Sequence, residues 1–361
     1  MQIENNNTQI DLVLEKAKKG NGLSRDEALF LLKEIPTSGE KFELLLHTAD
    51  YLSRKQFQNT GEVHAQIGLN WDKCQNNCQF CMFSEELHKI KQSKCLSEEE
   101  VVKRAIEFEE KGVGSISLMS TADYDFDKYL KMGKLVSENL KNRTPLFANW
   151  GDIDFEQAKA IKRAGFTYYY HALRLREGVV TKIDPSKRIE TIKNAHEAGL
   201  LVGSCLEPIG PEHTYEEMVD LLVIMRDLKI SWMATMKRIN VEGSPLQKYG
   251  EITDEEFAKI TAVTRLFYGK TIFTMAAHEP LAINLRAGAN FLVAEMGTNP
   301  RDKNVETLDS RGWDVDSCTK FLEQHDYKVY KGSVNKRYLK MSYINENFTH
   351  LERLLLNCNA E

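Results

Sequence analysis

The 361-residue chain lacks any apolar run near the ~18 residues that a membrane-spanning helix needs, and its mean hydropathy is -0.44. That argues against a helical membrane protein. Proline is scarce (8) and glycine modest (21), which excludes collagen-like and low-complexity chains. There is no excess of positive charge: 48 Lys and Arg stand against 53 Asp and Glu, for a net charge of -5 and a pI near 6.1. A broad nucleic-acid footprint needs the opposite sign. The opening residues MQIENNNTQIDL lack the basic-then-apolar pattern of a secretory signal, so a cytoplasmic location is expected, with neither membrane nor nucleic acid as partner.

A disulfide framework is also missing. The cysteines number 7, an odd count, and three of them fall within eight residues. In a reducing compartment such a cluster reads as metal-binding or catalytic. What is present is an ordinary globular balance, 42% hydrophobic and 28% charged. The length allows one large domain or two average ones.

Residues 8–54 read as helices, with Ser24 and Glu27 at capping-box spacing. From Val63 onward, short apolar runs alternate with amphipathic helices. Strands are expected at 63–69, 115–120, 145–150, 167–173, 200–209, 232–239, 271–277 and 290–296. Many of the intervening helices open on Ser, Thr or Asp and close on Gly. Eight strand–helix units fit an α/β fold of the (β/α)₈ TIM type, in which chemistry sits at the C-terminal ends of the strands. The rival doubly wound sheet normally has a Gly-rich turn after its first strand, where this chain has cysteines. The expected division is a helical extension (1–57), the barrel (58–300) and a C-terminal cap (301–361) with one helix near 315–325.

The turn after the first strand reads NWDKCQNNCQFCMFSEE, placing Cys74, Cys78 and Cys81 as C-x₃-C-x₂-C. Three close thiolates suit a [4Fe–4S] cluster whose fourth iron has no protein ligand. A zinc site would need a fourth ligand, for which His88 or Cys95 are the candidates.

With Phe80 just before the last cysteine, this loop resembles that of the radical S-adenosylmethionine (SAM) enzymes. The strings YYYH (168–171), SKRIETIKNAHEAG (186–199), VEGSPL (241–246) and RAGANFLVAEMG (286–297) are similar to the biotin synthase-like branch. The resemblance implies a [4Fe–4S] cluster on Cys74, Cys78 and Cys81, and SAM on its open iron. Reductive cleavage of SAM then gives a 5′-deoxyadenosyl radical that abstracts hydrogen from substrate. It further implies a small metabolite of cofactor or amino-acid biosynthesis, and a reductant such as ferredoxin or flavodoxin. By the same resemblance, Phe80 lies beside the adenine, Ser120 and Thr121 near the methionine amino group, and Arg188 on the methionine carboxylate. The family's usual Gly-Gly-Glu is missing at 120–121. His171, Arg174 and Glu207 join them on the cofactor side, with a rim salt bridge as the alternative for the charged group Arg174, Arg176 and Glu177. Substrate contacts are expected from Asn149, Arg176, Lys237, His278 and Glu279, with Glu295 a further candidate. Cys205 and Glu207 share parity and so one strand face. An ion pair of Glu207 with Lys237 or Arg238 is the bland reading.

True biotin synthases hold a second, [2Fe–2S] cluster. The corresponding positions here are expected at Leu118, Phe147, Gly203 and Phe273, none of which can ligate iron. The spare cysteines Cys95, Cys205, Cys318 and Cys358 could instead form an auxiliary cluster, as in sulfur-inserting synthases of the lipoyl type. A non-enzymatic metal carrier or scaffold is the alternative of another class.

Overall fold

The fold is taken from a computed structural model that describes residues 2–297, 299, 306–309 and 311–344. The chain opens with α1 (Gln2–Lys18), α2 (Arg25–Glu34) and α3 (Glu40–Gln56), then enters β1 (Thr60–Gly68). Two short strands, β2 (Asn70–Trp71) and β3 (Lys94–Cys95), flank the cysteine loop. There follow α4 (Glu98–Glu110), β4 (Ser115–Met119), α5 (Phe126–Asn139), β5 (Leu146–Asn149), α6 (Phe155–Arg163), β6 (Phe166–Tyr170) and α7 (Pro185–Glu197). Next come β7 (Leu201–Ile209), α8 (Tyr215–Asp227), β8 (Trp232–Lys237), α9 (Asp254–Tyr268), β9 (Met275–His278), α10 (Ala282–Arg286) and β10 (Phe291–Gly297). The tail adds α11 (Val315–Gln324), β11 (Lys328–Tyr330) and α12 (Val334–Ile344).

β1 and β4–β10 form one parallel sheet in chain order, and it closes where Glu62–Gly68 pairs with Phe291–Gly297. This is the expected (β/α)₈ barrel. Strand alternation sorts the side chains. Ala65, Ile67, Ile116, Leu118, Leu146, Ala148 and Leu206 pack outward under the helices. Phe147, Tyr168, Cys205, Trp232 and Phe291 fill the interior. The helices start where their caps direct. Ser24, Ser97, Asp154 and Thr214 each accept from the N3 amide, and Glu27, Glu100, Gln157 and Glu217 complete the reciprocal bond.

The largest boundary difference is at the seventh barrel strand, expected at 271–277 and found at Met275–His278. The Asn290 carboxamide oxygen accepts from both the Thr274 hydroxyl and the Met275 amide, each at 3.0 Å, so a side chain guides the chain into the ladder.

α10 has only five residues, too short to cover its part of the barrel. α3 packs on α9 and α10 and supplies the missing cover. Buried Arg265 fastens it, donating to Ser53 Oγ (2.6 Å), Gln56 Oε1 (2.5 Å) and the Gly269 carbonyl (2.6 Å).

The tail holds more than the one expected helix. β11 pairs with the start of β1, and α12 plugs the N-terminal end of the barrel, opposite the cysteine loop. The Tyr338 ring stacks on Phe273 at 4.6 Å and its hydroxyl donates to Glu62 Oε2 at 2.6 Å. Arg337 pairs with the same carboxylate. Residues 301–305, 310 and 345–361 of the expected cap, Cys358 among them, lie outside the described residues.

Gly203 is the tightest interior position. A Cβ there would sit 1.8 Å from Trp232 Cε2. Trp232 cannot retreat freely, because Tyr170, Phe147 and Phe291 pack around it. Gly203→Ala should therefore destabilise the fold by about 1–3 kcal/mol, read as a lowered urea midpoint. An unchanged midpoint would show that the indole is not locked.

Candidate active site

The loop between β2 and β3 hangs over the C-terminal ends of the barrel strands. The two strands pair antiparallel, Asn70 opposite Cys95 and Trp71 opposite Lys94, and so clamp both ends of the loop. Within it, the Cys74 amide donates to the Phe83 carbonyl (2.7 Å) and the Cys81 amide to the Cys78 carbonyl (3.0 Å). Asn77 Oδ1 accepts from Ser84 Oγ (3.2 Å) and the Glu86 amide (3.0 Å). Trp71, Phe83 and Ile90 form a small core of the loop's own. Backbone bonds from Gln79 to Val180 (2.9 Å) and from Lys182 to Asn76 (2.9 Å) dock it on the barrel. Cys74, Cys78 and Cys81 all line the cavity beneath.

A buried network of charge lies beside the thiols. Arg174 Nε is 3.1 Å from Glu207 Oε1, and its Nη1 is 3.6 Å from Glu177 Oε2. Arg188 Nη1 approaches Asp152 Oδ1 at 3.4 Å, and its Nε approaches Glu177 Oε2 at 3.5 Å. These are ion pairs by distance, yet Arg174 Nε and Nη1 and Arg188 Nε are not aligned to make hydrogen bonds and remain buried donors without acceptors. Ser120 Oγ is likewise buried and unpartnered. Such groups cost stability unless something meets them. His171 Nε2 lies 2.9 Å from Asp152 Oδ1 and 3.1 Å from Arg188 Nη1. Burial, helped by Arg188, pushes the imidazole down to about 4. Burial raises the Asp152 carboxyl, but His171, Arg188 and Arg174 together bring it below its ordinary value. Burial also works against the Arg174 charge, and Glu207 and Glu177 outweigh it, so this guanidinium stays charged.

The donor set fits an iron–sulfur cluster. Burial raises all three thiols, Cys78 to about 11, and the neighbouring thiols raise Cys78 and Cys81 further. Three thiolates here therefore require cationic metal to hold them deprotonated. Among the described residues no three His, Cys, Asp or Glu side chains are drawn together tightly enough for a single ion. Zinc would need them within ~2.3 Å of one point, whereas a cubic cluster spreads its thiolates over different irons. His88 and Cys95, the candidates for a fourth zinc ligand, are exposed and do not line the cavity.

The cavity brings together Ser120, Thr121, Asn149, His171, Arg174, Arg188, Glu207 and His278. Thr121 is held by Asn70, which donates to its Oγ1 at 2.8 Å and accepts from its amide at 3.0 Å. Cys205 and Glu207 both face inward, as their parity requires.

The other expected residues lie elsewhere. Phe80 is not on the cavity wall; its ring centroid lies 6.0 Å from the Arg174 guanidinium. Arg176 turns away to Glu217 (2.7 Å) and the Glu212 carbonyl (2.6 Å), because its backbone is left-handed with φ 57. Lys237 is taken by Asp254 at 2.5 Å and does not line the cavity. Glu207 pairs with neither Lys237 nor Arg238; it accepts from Tyr170 at 2.7 Å and faces Arg174. Glu279 pairs with Arg311, and Glu295 accepts from Asn299 at 2.5 Å; both line a separate small hollow. Leu118 points outward, the inward residue being Ser117, and Phe273 lies below the floor against Tyr338. Cys95, Cys205 and Cys318 sit on β3, β7 and α11, with no common meeting point among the described residues.

His64, Gln66, Tyr170, Trp232 and Asp152 escaped the sequence reading. The first two carried a signal: they are polar and share parity within the apolar run VHAQIGL, so they had to face the interior together. Asp152 lies beyond its strand, where no periodicity marks it.

Residues 71–225 match the sequence model of the radical SAM superfamily. The biotin synthase of Clostridioides difficile is 27% identical over 69% of this chain and 79% of its own length. That of Clostridium tetani is 25% identical over 84% of this chain and 97% of its own. Among solved structures, methylornithine synthase superposes with a TM-score of 0.75 at 20% identity, covering 88% of this chain and 97% of that one. The FeFe-hydrogenase maturase HydG of Carboxydothermus hydrogenoformans gives 0.75 at 18%, covering 98% and 94%.

The two buried imidazoles set a pH dependence. His64 is pushed down to about 3 by burial and His171 to about 4, from an ordinary 6.5. As pH falls from 6.5 toward 4, the unfolded chain binds protons that the folded one refuses, so stability is lost across that window. The urea midpoint should fall with pH there, and His171→Gln should flatten the slope. A midpoint independent of pH through the window would contradict the neutral, buried assignment.

Proposed function

We propose, from the premise that this chain belongs to the radical SAM superfamily and is similar to its biotin synthases, that it abstracts hydrogen from a small metabolite of cofactor or amino-acid biosynthesis. When bound, a [4Fe–4S] cluster with one open iron supplies the electron that splits SAM into methionine and a 5′-deoxyadenosyl radical. The chain's own residues hold, orient and shield. Cys74, Cys78 and Cys81 hold the cluster. Arg188 and Arg174 offer their unmatched N–H groups to the methionine carboxylate, for which a planar guanidinium is suited. Ser120 Oγ is free to accept from the amino group. His171 and Asp152 keep Arg188 in place, and Phe80 backs Arg174.

The observation that carries this reading is the set of unpartnered buried donors on Arg174 and Arg188 beside the three thiols. Charge agrees with it. Two guanidiniums face three carboxylates, Asp152, Glu177 and Glu207, leaving a formal excess of one negative charge. A sulfonium amino acid carries one net positive charge and fits that excess. The cavity runs from the three thiols down to Trp232 and Phe291, which leaves a place for the nucleoside beside the thiols and for a second small molecule below it. We assign the barrel to 58–300, the extension to 1–57 and the cap to 301–361, with a ferredoxin or flavodoxin as electron donor and a cytoplasmic location. Among the described residues no helix is long and apolar enough to cross a membrane.

Iron and sulfide analysis of anaerobically reconstituted protein should find roughly four of each per chain, whereas roughly eight would favour sulfur insertion. Reduction with SAM should release 5′-deoxyadenosine, and Cys78→Ala should abolish it. Arg188→Met should weaken SAM binding by about tenfold or more, since it removes a charge-assisted pair. Calorimetry that detects no SAM binding to the iron-loaded chain would leave only a metal carrier.

A further inference from the structure

The floor of the cavity holds a polar group that the reading above does not use. His64 sits on β1 with its ring held by aromatic neighbours, stacked on Phe291 at 5.2 Å and edge-on to Phe147 at 4.9 Å. Its Nδ1 is 2.7 Å from Ser115 Oγ. Ser115 is buried, and among the described residues this ring nitrogen is the one acceptor its hydroxyl meets. A buried hydroxyl donates where it can. Ser115 is therefore the donor, Nδ1 the acceptor, and the ring proton lies on Nε2. Nε2 has no protein partner among the described residues, yet it is not sealed by protein; the ring forms part of the cavity wall.

We propose that His64 donates from Nε2 to the substrate and seats it on the floor, and that the substrate offers an uncharged acceptor, a carbonyl or ring nitrogen, on an apolar or aromatic body. The surroundings set that class. Phe147, Tyr170, Trp232, Phe291 and Val293 supply apolar and aromatic walls. Among the described residues, the only Asp, Glu, Lys or Arg side chains lining the cavity are Arg174, Arg188 and Glu207, all in the network beside the thiols. A carboxylate or ammonium on the floor would be buried without a counter-charge, at a cost of several kcal/mol. His64 does not supply one, because burial keeps its imidazole neutral. Nor is it a proton acceptor, since its one lone pair faces Ser115. This deepens the function proposed above and relies on it only for the identity of the occupant as substrate.

The test is heteronuclear NMR on full-length, reconstituted protein with isotope-labelled histidine. His64 should show the Nε2–H tautomer and no titration between about pH 6 and 8. Ser115→Ala should disturb that tautomer. Benzamide, a neutral carbonyl probe, should shift the His64 Nε2 resonance more than benzoate does. It should bind about tenfold more weakly to His64→Phe and near the native level to His64→Gln, which keeps a donor. An Nδ1–H tautomer, a resonance that benzamide leaves unmoved, a larger Nε2 shift with benzoate than with benzamide, or equal benzamide binding to His64→Phe would each overturn the proposal. The tautomer and shift are read on the native chain and stand even if a variant does not fold. Iron content of the same sample reports separately on the cluster, so the two readings fail independently.

Discussion

The structure depends on keeping positive charge buried where the barrel strands end. Arg174 and Arg188 lie inside the mouth, each facing carboxylates that do not saturate it. Removing such charges from water is expensive, and only fixed counter-charges make it tolerable. The network does this with Glu177 shared between the two arginines, Glu207 from β7 and Asp152 from the β5–α6 loop. Several segments must therefore converge before either arginine is stable. Closure of the barrel supplies that convergence, because parallel strands deliver all their C-terminal ends to one rim.

The two ends of the barrel serve opposite purposes. At the N-terminal end the tail seals the interior: Tyr338, Arg337 and Asn335 meet Phe273, Glu62 and Tyr168. Burial raises the Glu62 carboxyl against the pull of Arg337 and Tyr338, so this carboxyl is spent on closing the floor. Above it the aromatic layer of Phe147, Trp232 and Phe291 ends the packed core and begins the cavity. The open end carries the thiols and the charges. A radical intermediate needs such a vessel, closed below and apolar along its walls, because side reactions with water or protein end its usefulness.

Much of this was legible before any coordinates. The eight strands followed from short apolar runs, and the helix starts at Ser24, Ser97, Asp154 and Thr214 followed from local capping chemistry. The cysteine spacing anticipated three thiols on one cavity wall. The failures share one cause. Arg174 and Arg176 are two residues apart, yet one enters the cavity and the other, with a left-handed backbone, reaches α8. Lys237 ends a barrel strand as expected, but Asp254, at the start of the next helix, claims it. Leu118 and Ser117 differ by one position, and one residue of register decides which of them sees the cavity.

By itself the sequence determined the barrel and the loop that brings three cysteines to its mouth, because both rest on local spacing and periodicity. Tertiary structure alone decided which charges stay unpartnered, where the tail lies and what covers the floor. Those outcomes depend on residues far apart in the chain, such as Glu62 with Arg337 and His64 with Ser115 and Phe291, whose meeting no local pattern encodes.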